Sequence, residues 1–381
     1  MKILAVDVGT GTQDIVLFDS QLDVENSFKL VVPAPTMIIH RRLKSATQRG
    51  VPVALHGVTM GGGPSHWAAE AHIKTGYPVY ATPSAARSFN DDLDQIREMG
   101  IELISDDEVS RLPSDVEIIE MRDFDFESIS AAFKNFGVSL NDLAAVAVAV
   151  FDHGDAPAGY SDRQFRFDYL NERISISNRL ADFAFSRQDV PRIMTRLQAV
   201  VNSASKIDAP LVVMDTAPAA VLGATFDPVI QTKERVLIAN IGNFHTLAFR
   251  LSPEGIEGVF EHHTGLIDLP KLENLLRALA DGTLKHEDVF GDHGHGALIY
   301  SDQPLDLNKG SFGVGVTGPR QSLMQNSTLR PHFAAPFGDM MLAGCYGLLS
   351  AVGGVLPDLE EEVIQGLTLG SSRAAAPWEF D

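Results

Sequence analysis

The chain has 381 residues, of which 45% are hydrophobic and 21% are charged, as expected of a globular protein of about two domains. Its formal net charge of −20 repels nucleic acid and anionic membranes, so we expect neither as a partner. The single cysteine, Cys345, excludes an intramolecular disulfide and argues against an iron–sulfur activator and a radical enzyme of the three-cysteine kind.

Met1 and Lys2 lead directly into an apolar strand, so we predict no signal peptide and expect a cytoplasmic protein. Residues 340–356 form an uncharged segment of near-membrane length. This segment contains four glycines and has no basic flank, which favours a helix buried in the core over a membrane span.

Strand-like and helix-like segments alternate along the chain, which predicts an α/β fold. In the first half, we predict a hairpin over 2–19 and strands at 28–32, 52–60, 78–81, 101–104, 116–121, 143–151 and 211–214. We predict helices from residue 66 and at 91–99, 127–136, 190–207 and 217–224. In the second half, we predict strands at 235–241, 244–251, 256–263 and 313–317, and helices at 269–284 and 340–352.

One strand-turn-strand pattern occurs twice. The first copy is 2–19 and the second is 235–250, and aligning Asp7 with Asn240 also aligns Gly9 with Gly242. A glycine at such a bend lets backbone N–H groups approach an anion, and a polar residue at the strand end can hold a metal or its water. Two such turns facing each other would hold a polyphosphate, and the repeat divides the chain into domains 1–224 and 225–381.

These segments resemble the superfamily of acetate and sugar kinases, heat-shock ATPases and actin. Residues 3–12 are similar to its first phosphate motif and 240–246 to its second. Residues 217–223 and 340–350 resemble its two connecting helices, and residues 316–320 resemble its adenosine motif. The resemblance implies a two-lobed, actin-like ATPase (ribonuclease H-like) α/β fold with duplicated mixed sheets and a cleft between the lobes.

The resemblance also implies an ATP-dependent phosphotransferase or ATPase that acts on a small polar molecule. Asp7 would then position Mg²⁺ through water. The nucleotide would be held by the two turns and by the glycine that ends the adenosine strand: Gly9, Thr10, Gly11, Thr12, Asn240, Gly242, Asn243, His245, Thr246 and Gly318.

The acceptor side of the cleft has two candidates. Asp152 ends the most apolar strand, so we predict it as the catalytic base, with His153 sharing the role; the alternative is that Asp152 caps the following loop. Gly61, Gly62 and Gly63 precede a helix and are predicted to contact an anionic substrate, the alternative being a tight turn.

Three departures from the superfamily pattern keep other functions open. Gln13-Asp14 stands where sugar kinases carry a basic residue, Asn240 replaces an aspartate, and Pro319 replaces a glycine. The first two favour metal-assisted acyl or carbamoyl transfer or hydrolysis, or a non-catalytic nucleotide switch. Such a switch would act on a partner enzyme, and a homodimer is also open.

Histidines offer a different chemistry in the same cleft. His262, His263, His293 and His295 are predicted as an alternative site for Zn²⁺, Fe²⁺ or Mn²⁺. Asp152, His153 and His245 are expected nearby. The alternative is that His293 and His295 are loop residues without a ligand.

Overall fold

Two six-stranded sheets and one smaller parallel sheet organise the protein, whose computed structural model describes residues 1–368 and 378. The strands are β1 (Lys2–Val8), β2 (Thr12–Asp19), β3 (Phe28–Pro33), β4 (Val53–Gly57), β5 (Val79–Ala81), β6 (Ile101–Leu103), β7 (Glu117–Met121), β8 (Leu143–Val150), β9 (Ala184–Ser186), β10 (Leu211–Asp215), β11 (Val236–Ile241), β12 (His245–Ser252), β13 (Gly255–His263), β14 (Gly296–Ile299), β15 (Val314–Thr317) and β16 (Pro331–Phe333). The α-helices are α1 (Pro35–Arg49), α2 (Pro64–Lys74), α3 (Pro83–Ala86), α4 (Leu93–Glu98), α5 (Asp106–Val109), α6 (Phe126–Asn135), α7 (Asp162–Ile176), α8 (Thr195–Ser203), α9 (Thr216–Ala224), α10 (Leu269–Asp281), α11 (His286–Phe290), α12 (Ala343–Val355) and α13 (Pro357–Thr368).

The two large sheets share one topology. The first has the order β3-β2-β1-β8-β10-β9, in which β1 to β3 are antiparallel and β8 and β10 run parallel to β1. The second has the order β14-β13-β12-β11-β15-β16, in which β11 to β13 are again antiparallel and β15 and β16 run parallel to β11. The sixth strand differs between the sheets: β9 is added antiparallel beside β10 in the first, and β14 antiparallel beside β13 in the second. This is a ribonuclease H-like sheet present twice, the actin-like ATPase fold, and the fold prediction is confirmed.

Helices α9 and α12 cross each other between the sheets, and each follows the last parallel strand of its repeat, β10 or β16. A Cβ on Gly223 of α9 would overlap the backbone of Ala343, and a Cβ on Gly347 of α12 would overlap the backbone of Ala219. The glycines therefore permit a very close helix crossing. This confirms that the uncharged segment from residue 340 is a buried helix, and no helix in the described part of the chain is long and apolar enough to cross a membrane.

Each crossing helix also contacts the sheet of the other repeat. Helix α9 packs on β11 and β15, and α12 packs on β1 and β8. Helix α13 returns to the first sheet, where Gly366 lies against the ring of Phe18. The two halves are therefore joined through a shared core, and the boundary near residue 225 stays a prediction.

The third sheet is inserted between β3 and β8. Its order is β6-β5-β4-β7, all strands are parallel, and it has an apolar core of its own with the surrounding helices. The sequence interpretation did not include α1, which belongs to this insertion, or α7, whose first residue lines the cleft. The predicted helix at 190–207 is shorter, at Thr195–Ser203, and the loop at 285–296 contains α11.

Candidate functional site

The two repeated turns have the same hydrogen bond. The Gly9 N–H donates to Thr12 O and the Gly242 N–H donates to His245 O, each at 2.9 Å. A Cβ would lie 3.0 Å from Thr12 O on Gly9 and 2.7 Å from His245 O on Gly242, so both positions favour glycine. The repeat seen in the sequence is therefore a repeat of local structure.

Both turns line one cleft of about 1430 Å³. They face each other closely, since a Cβ on Gly11 would lie 2.8 Å from Asn243 Nδ2. Gly318 has a φ of 97° and lies against the Asn240 side chain, where a Cβ would not fit. All the predicted nucleotide residues line this cleft except Thr246, whose buried Oγ1 lies 3.0 Å from Thr264 Oγ1. His245 points into the cleft, and side chains alternate along β12, so the side chain of Thr246 points to the opposite face of the strand and away from the predicted nucleotide site.

An acidic pair lies at the floor of the cleft. Asp7 on β1 pairs with Asp14 on β2, and both side chains are buried. Burial raises the pKa of Asp7 to about 6, opposed by a 2.5 Å hydrogen bond from Thr216 Oγ1. Burial and the charge of Asp7 raise the pKa of Asp14 to about 8. Two neighbouring carboxylates in such a place need a cation to ionise together.

Backbone packing fixes the Asp7 carboxylate in place. A Cβ on Gly344, in the first turn of α12, would overlap Asp7 Oδ2. The absence of a side chain at this position therefore lets the end of the helix approach the strand-end carboxylate directly. Asp339, just before that helix, adds a third negative charge close to Asp14 and also raises its pKa.

Asp152 has the capping geometry that the sequence left open as an alternative. Its Oδ1 accepts from the Gly154 N–H and its Oδ2 from the Leu197 N–H, both at 2.9 Å. The side chain is buried, which raises its pKa, and these two hydrogen bonds oppose the rise. Both oxygens therefore stabilise local backbone at the start of α8, although the residue also lines the cleft.

The glycine loop before α2 also lines the cleft, and it is tightly packed. The Gly61 N–H donates to Asp123, whose carboxylate is held by Arg196, with Nη2 3.0 Å from Oδ1. A Cβ on Gly63, at a φ of 54°, would lie 2.5 Å from the ring of Phe244. The Gly61 amide is thus already used within the protein, and Gly63 brings the insertion against the second turn.

Three histidines and one glutamate converge at one end of the cleft. The ligand atoms of His153, His245, Glu261 and His295 all lie within 4.8 Å of one another. His245 pairs with His263 and Leu247 pairs with Glu261 across β12 and β13, so His245 and Glu261 share one face of the sheet. The His295 N–H donates to Glu261 O at 2.9 Å, and His153 follows the end of β8.

Two polar atoms inside this four-residue cluster lack a hydrogen-bond partner. Glu261 Oε1 and His295 Nδ1 are buried without a hydrogen-bond partner, 3.5 Å from each other. His153 Nε2 lies 3.2 Å from His295 Nε2. Burial lowers the pKa of His153 and of His245 well below the usual range and that of His295 to about 2, so the imidazoles are neutral near pH 7.

Arg166 holds the other side of Glu261. Its Nε donates to Glu261 Oε2 at 2.7 Å, and its Nη1 donates to Asp215 Oδ2 at 2.7 Å and to Asp152 O at 2.8 Å. The guanidinium is fully buried and lies over the ring of Phe151, 4.0 Å from its centroid. Two buried carboxylates therefore share one cation, and the orientation of Glu261 is fixed.

The histidine set predicted from the loop composition needs correction. His262 points to the opposite face of β13, where its Nε2 lies 3.5 Å from Asp292 Oδ2. His293 is exposed in a turn with a φ of 64°. His263 is half-buried beside His295, with ring centroids 4.7 Å apart, but is not one of the four converging residues. Only His295 of the predicted four belongs to the cluster, and Glu261 was missed.

A family model described as "Putative pyruvate format-lyase activating enzyme (DUF1786)" matches residues 60–323, well over half of the chain. The chain belongs to this family. The match includes the insertion from residue 60 onward, the second turn and all four residues of the cluster, while the first turn, α1 and β4 precede it. No curated protein sequence matches the chain.

Several solved structures are similar over nearly the whole chain at low identity. The activator of the 2-hydroxyisocaproyl-CoA dehydratase from Clostridium difficile with bound ADPNP is 10% identical, with 95% of this chain and 98% of that chain covered and a TM-score of 0.35. A ROK hexokinase from Thermus thermophilus is 13% identical, with coverages of 99% and 91% and a TM-score of 0.24. The fold assignment rests on the duplicated strand order.

Proposed function

We propose that this protein is a phosphotransferase or ATPase that binds Mg²⁺-ATP between the two glycine turns and acts on a small polar molecule. The observation that carries the proposal is the pair of turns with one shared geometry, Gly9 to Thr12 and Gly242 to His245, facing each other across one cleft. Each turn has a glycine where a Cβ would crowd the backbone, as required for close approach to phosphate.

The acidic pair supports a hard cation beside the phosphates. Asp7 and Asp14 present only oxygen atoms, which are the ligands that Mg²⁺ prefers. Burial is the main cause of the raised pKa of both residues, and a divalent cation beside them would favour their ionised forms. When bound, Mg²⁺-ATP would supply the phosphoryl group and neutralise the charge that develops during its transfer.

The residues around the turns have distinct tasks in this proposal. Thr216 and Gly344 hold the Asp7 carboxylate in one orientation toward the cleft. Asn240 contributes a neutral amide at the equivalent position of the second repeat, so the anionic charge comes from the first repeat alone. Gly63 packs against the ring of Phe244 at one side of the cleft, and this contact would limit the access of water to bound phosphates.

The activity named in the family description is not part of this proposal. Activation by radical chemistry of the three-cysteine kind needs three thiolates for an iron–sulfur cluster. The chain has one cysteine, Cys345, which is buried with Sγ 3.1 Å from Asp14 O. Burial also raises the pKa of this thiol well above its usual range, so it is a poor metal ligand.

The test is calorimetric titration of the purified protein with Mg²⁺-ATP and Mg²⁺-ADP. Gly11→Val would fill the space between the turns and should abolish binding, because the new side chain meets Asn243. Gly265→Val is the matched control, since no atom lies within 4 Å of a Cβ at that position. Absence of Mg²⁺-dependent binding to the wild-type protein, or equal binding by both variants, would contradict the proposal.

A further inference from the structure

We propose that His153, His245, His295 and Glu261 bind one divalent first-row transition metal ion, separate from the Mg²⁺ assigned to the acidic pair. The four ligand atoms lie within 4.8 Å of one another. Bonds of 2.0–2.2 Å allow two ligands of one ion to be at most about 4.4 Å apart. Side-chain movements of a few tenths of an ångström would therefore complete the coordination.

Two unpaired buried atoms point into the cluster. Glu261 Oε1 and His295 Nδ1 have no hydrogen-bond partner, and both residues are fully buried. An unsatisfied buried polar group costs about 1–3 kcal/mol, so two adjacent ones call for an explanation. A cation bound to Glu261 Oε1 removes that cost, because the oxygen gains a strong partner.

Arg166 supplies the supporting shell that metal sites require. It binds Glu261 Oε2 and Asp215, and this leaves Oε1 as the free oxygen directed at the histidines. Such outer contacts fix the orientation of a ligating carboxylate. Arg166, Glu261 and Asp215 together leave one net negative charge, which favours a cation in the cluster over an anion.

The site is open on one side. His153 and His245 line the cleft, whereas Glu261 and His295 lie behind them with no exposed surface. An ion can therefore enter from the cleft and keep a coordination position facing it, as in catalytic rather than structural sites. If the nucleotide proposal holds, this position would take an oxygen atom of the acceptor molecule; the metal site itself does not rest on that proposal.

The donor set selects the class of metal. Three imidazoles and one carboxylate, without a thiolate, suit Zn²⁺, Fe²⁺ or Mn²⁺ better than Mg²⁺. The acidic pair has the opposite preference, because it offers oxygen atoms only. One cleft thus contains a nitrogen-rich site next to the second turn and an oxygen-only site next to the first.

The test measures cobalt binding by visible absorption, after bound metal has been removed with a chelator. Wild-type protein should bind one Co²⁺ with the intense bands of four- or five-coordinate cobalt, and Zn²⁺ should displace it. His153→Gln and His295→Gln should each weaken Co²⁺ binding by more than about 100-fold, since loss of outer-shell contacts alone costs 10–100-fold. His153 is at the edge of the cleft, so its replacement is expected to leave the fold intact.

His262→Gln and His293→Asn are the matched controls, because these histidines lie near the cluster but outside it. Asparagine is chosen at His293 because it tolerates the positive φ. Both controls should bind Co²⁺ as the wild type does. Six-coordinate cobalt spectra in the wild type, or equal affinities in a folded His153→Gln variant, would overturn the metal site.

Titration with Mg²⁺-ATP of the protein from which transition metal has been removed separates the two proposals. Cobalt binding without nucleotide binding would leave the metal site standing and remove the phosphotransferase assignment. Nucleotide binding without cobalt binding would do the reverse. Circular dichroism of each variant ensures that a lost signal reports the site and not unfolding.

Discussion

Replacement of Asp14 by asparagine should make the protein more stable, and increasingly so as the pH rises. Asp14 is buried opposite Asp7 in the β1–β2 hairpin, and its pKa is raised from its ordinary value of 3.8 to about 8. Between these values the folded state holds a proton that the unfolded state has lost. Folding stability therefore falls as the pH rises through this interval and levels off above about pH 8.

The size of the effect follows from the pKa change of Asp14. Each unit of pKa difference corresponds to about 1.4 kcal/mol. At pH 5 Asp14 takes up a proton when the protein folds, and this costs about 2 kcal/mol. Above pH 8 it stays ionised in the folded protein, and its burial costs about 6 kcal/mol. Asparagine carries no such cost, so the stability gain of Asp14→Asn should grow by about 4 kcal/mol between the two conditions. Asp7 and Asp339 face Asp14 and strengthen the trend, because their charges repel its carboxylate.

Scanning calorimetry at pH 5 and at pH 8.5 without divalent metal measures this difference. Asp115→Asn is the control, since Asp115 is exposed and its loss changes the net charge equally. Adding Mg²⁺ at pH 8.5 should raise the melting temperature of the wild type more than that of Asp14→Asn. If the two proteins showed the same pH dependence, Asp14 would be ionised in the folded protein and the acidic-pair argument would be refuted.

Two further predictions concern packing and buried charge. Gly347→Ala should destabilise the protein by about 1–3 kcal/mol, because its Cβ would overlap the α9 backbone. Gly354→Ala in the same helix is the control, because a Cβ there meets no atom within 4 Å, and it should stabilise the protein by up to about 1 kcal/mol. If calorimetry showed similar changes in stability for the two variants, the close helix crossing would be refuted. Arg166→Met should cost about 3–5 kcal/mol, since it leaves Glu261 and Asp215 buried without their cation. Arg42→Met, at an exposed ion pair, should cost less than about 1 kcal/mol in the same denaturant titration.

The repeated hairpins were predictable because their signals are local. Alternating strands, a strand-end polar residue and a glycine at the bend are all encoded within about 18 residues, and the two turns have the same hydrogen bond. The buried helix from residue 340 was predictable for a similar reason. Small residues without charge have few alternatives to close helix packing.

Helix α7 was missed because its buried face contains an arginine. Arg166 interrupts the apolar stripe that would otherwise have indicated a helix here. It is buried only because Glu261 and Asp215 neutralise it. These partners lie 95 and 49 residues away in sequence, so no local sequence pattern indicates them. Helix α1 is a different case, since Ile39, Leu43 and Ala46 follow helical spacing and could have been recognised.

The histidine cluster shows where composition alone is insufficient. The density of His and Asp after residue 261 indicated a metal site, but it did not assign side chains to faces. Strand alternation would have placed Glu261 with His263 and excluded His262. The contribution of His295 depends on its backbone hydrogen bond to Glu261, which is set by the pairing of β13 and β14 and is not visible in sequence.

The duplicated hairpins have diverged in a way that separates two kinds of cation chemistry. In the first hairpin Asp7 faces Asp14, whereas the equivalent pair in the second is Asn240 and Leu247, which cannot supply anionic charge. The second hairpin instead has His245 where the first has Thr12, and its next strand adds Glu261 on the same face. Loss of the carboxylates from the second repeat therefore coincides with a gain of nitrogen ligands there. At the two proposed sites, a Mg²⁺ ion would compete poorly for the second, and a Zn²⁺ or Fe²⁺ ion would have no imidazole at the first. If both proposals hold, the divergence of one duplicated element would be sufficient to keep two metals apart in a single cleft.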